Sequence, residues 1–127
     1  MDKCHKQRLK LAKEFKECQS AFVALGDETR HHIIIALLES DTHGIRVGEI
    51  TKRTHLSRPA VSHHLQILKN AGIISMYREG TKNYYYVSAS ETVWKQLAEF
   101  VGNIYGLVQE ISNKSCAKSD AERKMEE

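Results

Sequence analysis

Leu56-Ser57-Arg58-Pro59-Ala60-Val61-Ser62-His63-His64-Leu65-Gln66-Ile67-Leu68-Lys69-Asn70-Ala71-Gly72 reads as a single helix with an apolar seam and a polar, basic outer face. Ser57 is placed to cap it by accepting a hydrogen bond from an otherwise unpaired backbone N–H. Pro59 fits the first turn, and Gly72 supplies a left-handed stop. Val61, Leu65 and Leu68 follow the i, i+4, i+7 spacing of one buried stripe, which leaves Arg58, Ser62, His63, Gln66 and Lys69 pointing outward. Those side chains have the donors, acceptors and length suited to base edges and phosphates in a major groove. A polar surface helix with no ligand would read the same way on this segment alone.

The flanking sequence decides between the two readings. Residues Ile45 to Thr54 carry a short helix pattern, with Val47 and Ile50 three apart, and Thr54-His55-Leu56 forms a tight turn into the longer helix. That layout is a helix-turn-helix whose second helix is the reader. After Gly72, Ile73 to Arg78 and Lys82 to Val87 read as two strands joined by a turn at Glu79-Gly80-Thr81. The hairpin would act as a wing, with Arg78 and Lys82 beside Gly80 at its tip. Its tyrosines are explained by ordinary strand propensity. The candidate DNA-contacting set is therefore Ser57, Arg58, Pro59, Ala60, Ser62, His63, His64, Gln66 and Lys69 on the reader, and Arg78 and Lys82 on the wing.

Together these segments resemble the ArsR/SmtB family of bacterial winged-helix repressors. The resemblance covers Phe22 to Val87 strongly and the outer helices more loosely. It rests on Ala24-Leu25-Gly26-Asp27-Glu28-Thr29-Arg30, which looks like the family's entry into its second helix, on Leu56 to Gly72, and on the Arg78 to Val87 wing. What it implies is a mainly α fold with a β-hairpin wing, and a homodimeric repressor that leaves double-stranded operator DNA when an inducer, often a metal ion, binds.

Charge agrees with a nucleic-acid partner. The 127-residue chain has a formal net charge of +3, and its basic residues are unevenly placed. Arg46 to Val87 holds seven Lys and Arg against two acids, whereas the remainder holds twelve basic and fourteen acidic residues. Positive charge is thus concentrated on the segment that would face phosphate. A winged helix that binds RNA or protein is the rival reading, but the deep, narrow major groove of A-form RNA does not admit a helix. No nucleophile and base pair, phosphate loop or carboxylate constellation suggests an enzyme. No run of about 18 apolar residues suggests a membrane span, and the charged N-terminus is unlike a signal peptide, so a cytoplasmic location is expected.

A single domain over residues 1–112 is expected, with the helix-turn-helix and wing at 45–87 and a polar, flexible tail at 113–127. The first helix, over 6–24, aligns Leu11, Phe15, Cys18, Phe22 and Leu25 on one face. In the last, over 91–112, Val93, Leu97, Phe100, Ile104, Leu107 and Ile111 form a seam that Trp94, Val101, Tyr105 and Val108 broaden. That stripe is wider than packing on one small domain requires, and Gly102 and Gly106 could let helices approach closely. The first and last helices are therefore expected to dimerise.

The inducer is harder to read. Metal-sensing members of the resembled family place a Cys-x-Cys pair in the helix before the reader, or Asp, His and Glu along the last helix. Here Val47 to Thr54 has no cysteine and the last helix has no His, Cys or Asp, so neither site carries over and the metal ligands are unknown. His31, His32, His43 and His55 read as structural or solvated residues. Three widely spaced cysteines, Cys4, Cys18 and Cys116, do not form a disulfide framework. They are candidate sensor thiols for oxidation or a soft metal, although Cys18, on the apolar stripe, also reads as an inert core residue. Along one continuous helix Cys4 and Cys18 would stand about 21 Å apart, too far to share an ion.

Overall fold

The computed structural model describes residues 2–87 and 91–113, with the side chains of 91 and 92 outside the description. The element order is α1 (Lys3–Glu17), α2 (Gln19–Leu25), α3 (Glu28–Glu39), α4 (Val47–Thr54), α5 (Arg58–Asn70), β1 (Ile74–Glu79), β2 (Lys82–Val87) and α6 (Glu91–Asn113). Among the described residues two compact units emerge, one of residues 19–95 and one formed by 2–18 with 96–113. Among the described residues, no helix is long and apolar enough to cross a membrane.

The unit of residues 19–95 is built around apolar side chains from several short elements. Ile33, Ile50, Val61, Leu65, Leu68, Ile73 and Ile74 are all buried at 2% exposure or less. None of α3, α4 or α5 could be stable alone at such lengths, and burial of these stripes is what holds them helical. α5 follows the sequence reading closely: Ser57 Oγ accepts from the Ala60 N–H at 3.3 Å, Pro59 sits in the first turn, and Val61, Leu65 and Leu68 are its buried residues.

β1 and β2 pair antiparallel from Ile74 opposite Val87 to Glu79 opposite Lys82, leaving Gly80 and Thr81 as the turn. Glu79 therefore belongs to the strand, not to the turn expected from the sequence. Gly80 has φ +63°, the left-handed geometry that a two-residue hairpin turn demands. A further difference lies at Ile45. It does not begin a helix but forms an isolated bridge to Tyr85, with reciprocal N–H to O contacts of 2.8 Å in each direction.

In the other unit, α1 packs on α6 through Leu11, Leu97 and Phe100, all buried, and through an edge-on contact of the Phe15 and Phe100 rings at 5.3 Å. Asn103 Nδ2 donates to Glu14 Oε2 at 3.0 Å. The first helix is not continuous over 6–24 as the apolar spacing suggested. Cys18, at φ −93° and ψ 3°, ends α1, and the chain restarts as α2 at Gln19. The tail at 113–127 lies outside the described residues except for Asn113, which closes α6.

Gly72 is the position where backbone geometry most limits the sequence. Its φ is +78°, and a Cβ there would lie 2.5 Å from Val93 Cγ2. Gly80 shares the positive φ, but a Cβ there meets nothing within 4 Å. Both Gly→Ala substitutions should cost about 1 to 2 kcal/mol for the left-handed conformation, and Gly72→Ala should cost clearly more because of the clash. Urea denaturation of Gly72→Ala, Val93→Ala and the double variant should show a favourable coupling of about 1 kcal/mol. Equal losses at Gly72 and Gly80, with no coupling to Val93, would contradict this packing.

Candidate nucleic-acid interface

The reader helix is held from behind by α2 and α3. Asp27 caps α3, its Oδ1 accepting from the N–H groups of Thr29 at 2.7 Å and Arg30 at 3.3 Å. Arg30, only 8% exposed, lies on the same face of α3 as Ile33 and Leu37. Its Nε donates to the Ala24 carbonyl at 2.7 Å and its Nη2 to the Val23 carbonyl at 3.1 Å. Nη1 stands 3.6 Å from Asp27 Oδ2 and 3.3 Å from Nδ1 of His64 on α5. His31 Nε2 contacts the Leu25 carbonyl as well. The first turn of α3 thus supplies the partners that the end of α2, like any helix C-terminus, lacks within itself.

Outward from this frame, Ser57, Arg58, Pro59, Ser62, His63, Gln66 and Lys69 are exposed, while Ala60 and His64 are half-buried. The Gln66 amide donates to Asn70 Oδ1 at 2.8 Å. On the wing, Arg78 and Lys82 are exposed, and Arg78 Nε donates to the Gly80 carbonyl at 3.0 Å, so its guanidinium is drawn over the turn. His64, read from the sequence as a DNA-contact candidate, has one ring nitrogen engaged by Arg30.

The base of the wing is organised by rings whose grouping the strand pattern did not reveal. Tyr77 and Tyr84 stack at 5.2 Å and 11°. His43, from the α3–α4 loop, lies 5.9 Å from Tyr77 and 4.7 Å from Tyr86. A Cβ on the neighbouring Gly44 would come within 2.9 Å of the Tyr77 ring, which explains a glycine there. His43 is accordingly structural. Partial desolvation, followed by the Glu79 charge and the neighbouring tyrosines, pushes the Tyr77 hydroxyl up, so it remains a neutral phenol. Missed altogether was Arg30. Its sequence signal was a lone cation three residues before Ile33, on a stripe otherwise apolar.

The thiols have different surroundings. Cys18 is 6% exposed, and burial, then Glu17 and Glu14, push its thiol up. The nucleophilic thiolate is therefore disfavoured there. Cys18 is the free cysteine among the described residues; Cys4 is disulfide-bonded, so it is not the free thiol that the sequence suggested. Cys116 lies outside the described residues. Among those residues, no cluster of three or more His, Cys, Asp or Glu is placed to hold a metal ion.

A short helix-turn-helix, a polar reader and an antiparallel wing define the winged-helix class of DNA-binding proteins. Residues 27–76 match the model of the bacterial regulatory protein arsR family. The chain is 38% identical over 74 residues, covering 58% of this chain and 81% of the relative, to the HTH-type transcriptional regulator MJ1325 of Methanocaldococcus jannaschii. It is 39% identical over 66 residues, covering 52% and 70%, to the transcriptional repressor SdpR of Bacillus subtilis. The structure of reduced HlyU from Vibrio cholerae superposes with a TM-score of 0.57 at 26% identity, covering 70% of this chain and 90% of that one. The chain belongs to the arsR family and is a DNA-binding transcriptional regulator.

The cap beneath the reader gives the fold an acid limit. Partial desolvation raises the Asp27 carboxyl, but the Arg30 and Thr29 N–H groups, then the charge of Arg30, outweigh it and hold the group below its ordinary value of 3.8. A lowered folded pKa stabilises the fold above the unfolded value, and that contribution is lost as pH falls through the folded value. Asp27→Asn keeps a capping oxygen and removes the charge. Its stability should therefore fall less steeply below pH 3.8 than that of the unmodified chain in urea titrations. Parallel acid limbs would show that Asp27 does not carry this linkage.

Proposed function

We propose that the chain is a homodimeric repressor that places α5 in the major groove of an operator and lays the wing along the adjacent phosphates. The observation that carries this reading is the division of α5 into a buried seam at Val61, Leu65 and Leu68 and an exposed polar face at Arg58, Ser62, His63, Gln66 and Lys69. Arg58, Ser62, His63 and Gln66 are the candidates for base edges. Ser57, Pro59 and Ala60 position the first turn of α5 on phosphate, and Lys69, Arg78 and Lys82 act through charge.

Dimerisation is assigned to α1 and α6. Their unit exposes Leu9, Phe15, Val101, Ile104, Tyr105 and Val108, each at 37% or more. An apolar groove runs between them, lined by Leu11, Phe15, Phe100, Ile104 and Leu107. A second copy would cover that surface and set the separation of two readers. Operator release is assigned to the cysteines, by a change in the oxidation state of Cys4 and Cys116 or by soft-metal capture once Cys4 is reduced, with Cys18 the weakest candidate because its thiol is held protonated. A cytoplasmic protein acting on the chromosome suits this role.

The test begins with duplexes selected from a random pool by the purified protein. Footprinting of the selected sequence should show an inverted repeat with half-sites about 10 to 10.5 base pairs apart, and sedimentation should give a dimer at micromolar concentration. A monomer that protects a single site, or protects none, would overturn the proposal.

A further inference from the structure

Resting on the reading of α5 as the helix that meets DNA, we propose that Arg30 is a positioning residue for His64: it fixes the imidazole as the neutral Nε2–H tautomer, and that N–H is a donor α5 offers to the duplex. A guanidinium carries five N–H groups and no acceptor. Its 3.3 Å contact with His64 Nδ1 therefore requires that nitrogen to be the acceptor, bare of a proton. An imidazolium, with a proton on both nitrogens, cannot make this bond. The single proton of the ring is left on Nε2.

Arg30 is well suited to impose this choice because it cannot readily turn away. Nε and Nη2 are committed to the Ala24 and Val23 carbonyls, and Asp27 stands beside Nη1. The side chain is buried, so the N–H groups on Nη1 gain from acceptors inside the protein. His64 supplies one from α5, across 34 residues of sequence. The other charged or titratable neighbours are Asp27, whose Oδ2 stands 3.6 Å from the same Nη1, and His63, whose ring lies 5.7 Å away and tilted by 59°. The His64 ring remains half-exposed. One edge is thus held by the frame while the ring keeps access to the outside. A donor with fixed tautomer and orientation binds an acceptor without first ordering itself, which favours affinity.

The experiment uses the full chain and the duplex it selects. Long-range ¹⁵N–¹H spectra of the histidine rings should show His64 protonated at Nε2 and bare at Nδ1 in the free protein. Arg30→Lys keeps the charge but loses the fork, and should let the two tautomers mix. Arg30→Lys and His64→Ala should each weaken operator binding by about tenfold, on the scale of one charge-assisted hydrogen bond. The double variant should lose about tenfold again, not a hundredfold, because Arg30 acts through His64. A proton on Nδ1 of His64 in the unmodified protein would overturn the assignment, even if Arg30→Lys fails to fold. Multiplied losses in the double variant, with normal operator binding by the unmodified chain, would overturn the positioning role alone. Failure of the unmodified chain to select any duplex would instead overturn the DNA-binding reading, and with it the role of Nε2–H.

Discussion

The winged unit depends on one buried cation. Arg30 is 8% exposed and has no acceptor of its own, so each of its N–H groups must be met by the protein. It meets carbonyls at the end of α2, the cap carboxylate of α3 and the imidazole of α5. Three helices that touch otherwise through apolar, orientation-tolerant contacts acquire a common directional partner. Removing the cation would leave the Ala24 and Val23 carbonyls without their side-chain donor and Asp27 without its cationic neighbour, at a cost of about 1 to 3 kcal/mol for the buried Ala24 carbonyl. Apolar burial holds the elements together, and Arg30 sets how α5 is presented.

The wing is tied to the same frame by a different device. Ile45 and Tyr85 exchange two backbone hydrogen bonds, so the short segment before α4 acts as a one-residue third strand. His43 and three tyrosines fill the angle beside it, and Gly44 leaves room for the Tyr77 ring. A two-stranded hairpin by itself is marginal in water. Anchored along its inner half, it carries Arg78 and Lys82 at a defined distance from the reader. The ring contacts of His43 and Tyr77 help to place the wing's charges.

Much of this was legible because the signals are local. The Ser57 cap, Pro59, the Val61, Leu65 and Leu68 seam and the Gly72 stop all lie within one helix, and each appears where its chemistry requires it. What was hidden depends on partners distant in sequence. Nothing in the spacing of Ile45 reveals Tyr85, and nothing in a run of three tyrosines on a strand reveals His43. The break at Cys18 was obscured for another reason: the apolar face continues in register from Leu11 to Leu25, and no glycine or proline marks the interruption. Arg30 was legible in principle, since a cation on an apolar stripe must be paired. Its partner on α5 was not.

On the proposed function, α5 enters the major groove of a duplex and reads its base edges. Substituting 7-deazapurines within the half-sites of the selected operator removes major-groove acceptors one at a time, while 3-deazaadenine removes an acceptor facing the minor groove. Affinity should fall at particular 7-deaza positions beneath Arg58, Ser62, His63 or Gln66, and should be indifferent to 3-deaza substitution at the same base pairs. Indifference to every 7-deaza substitution, or a loss confined to the 3-deaza series, would contradict the account.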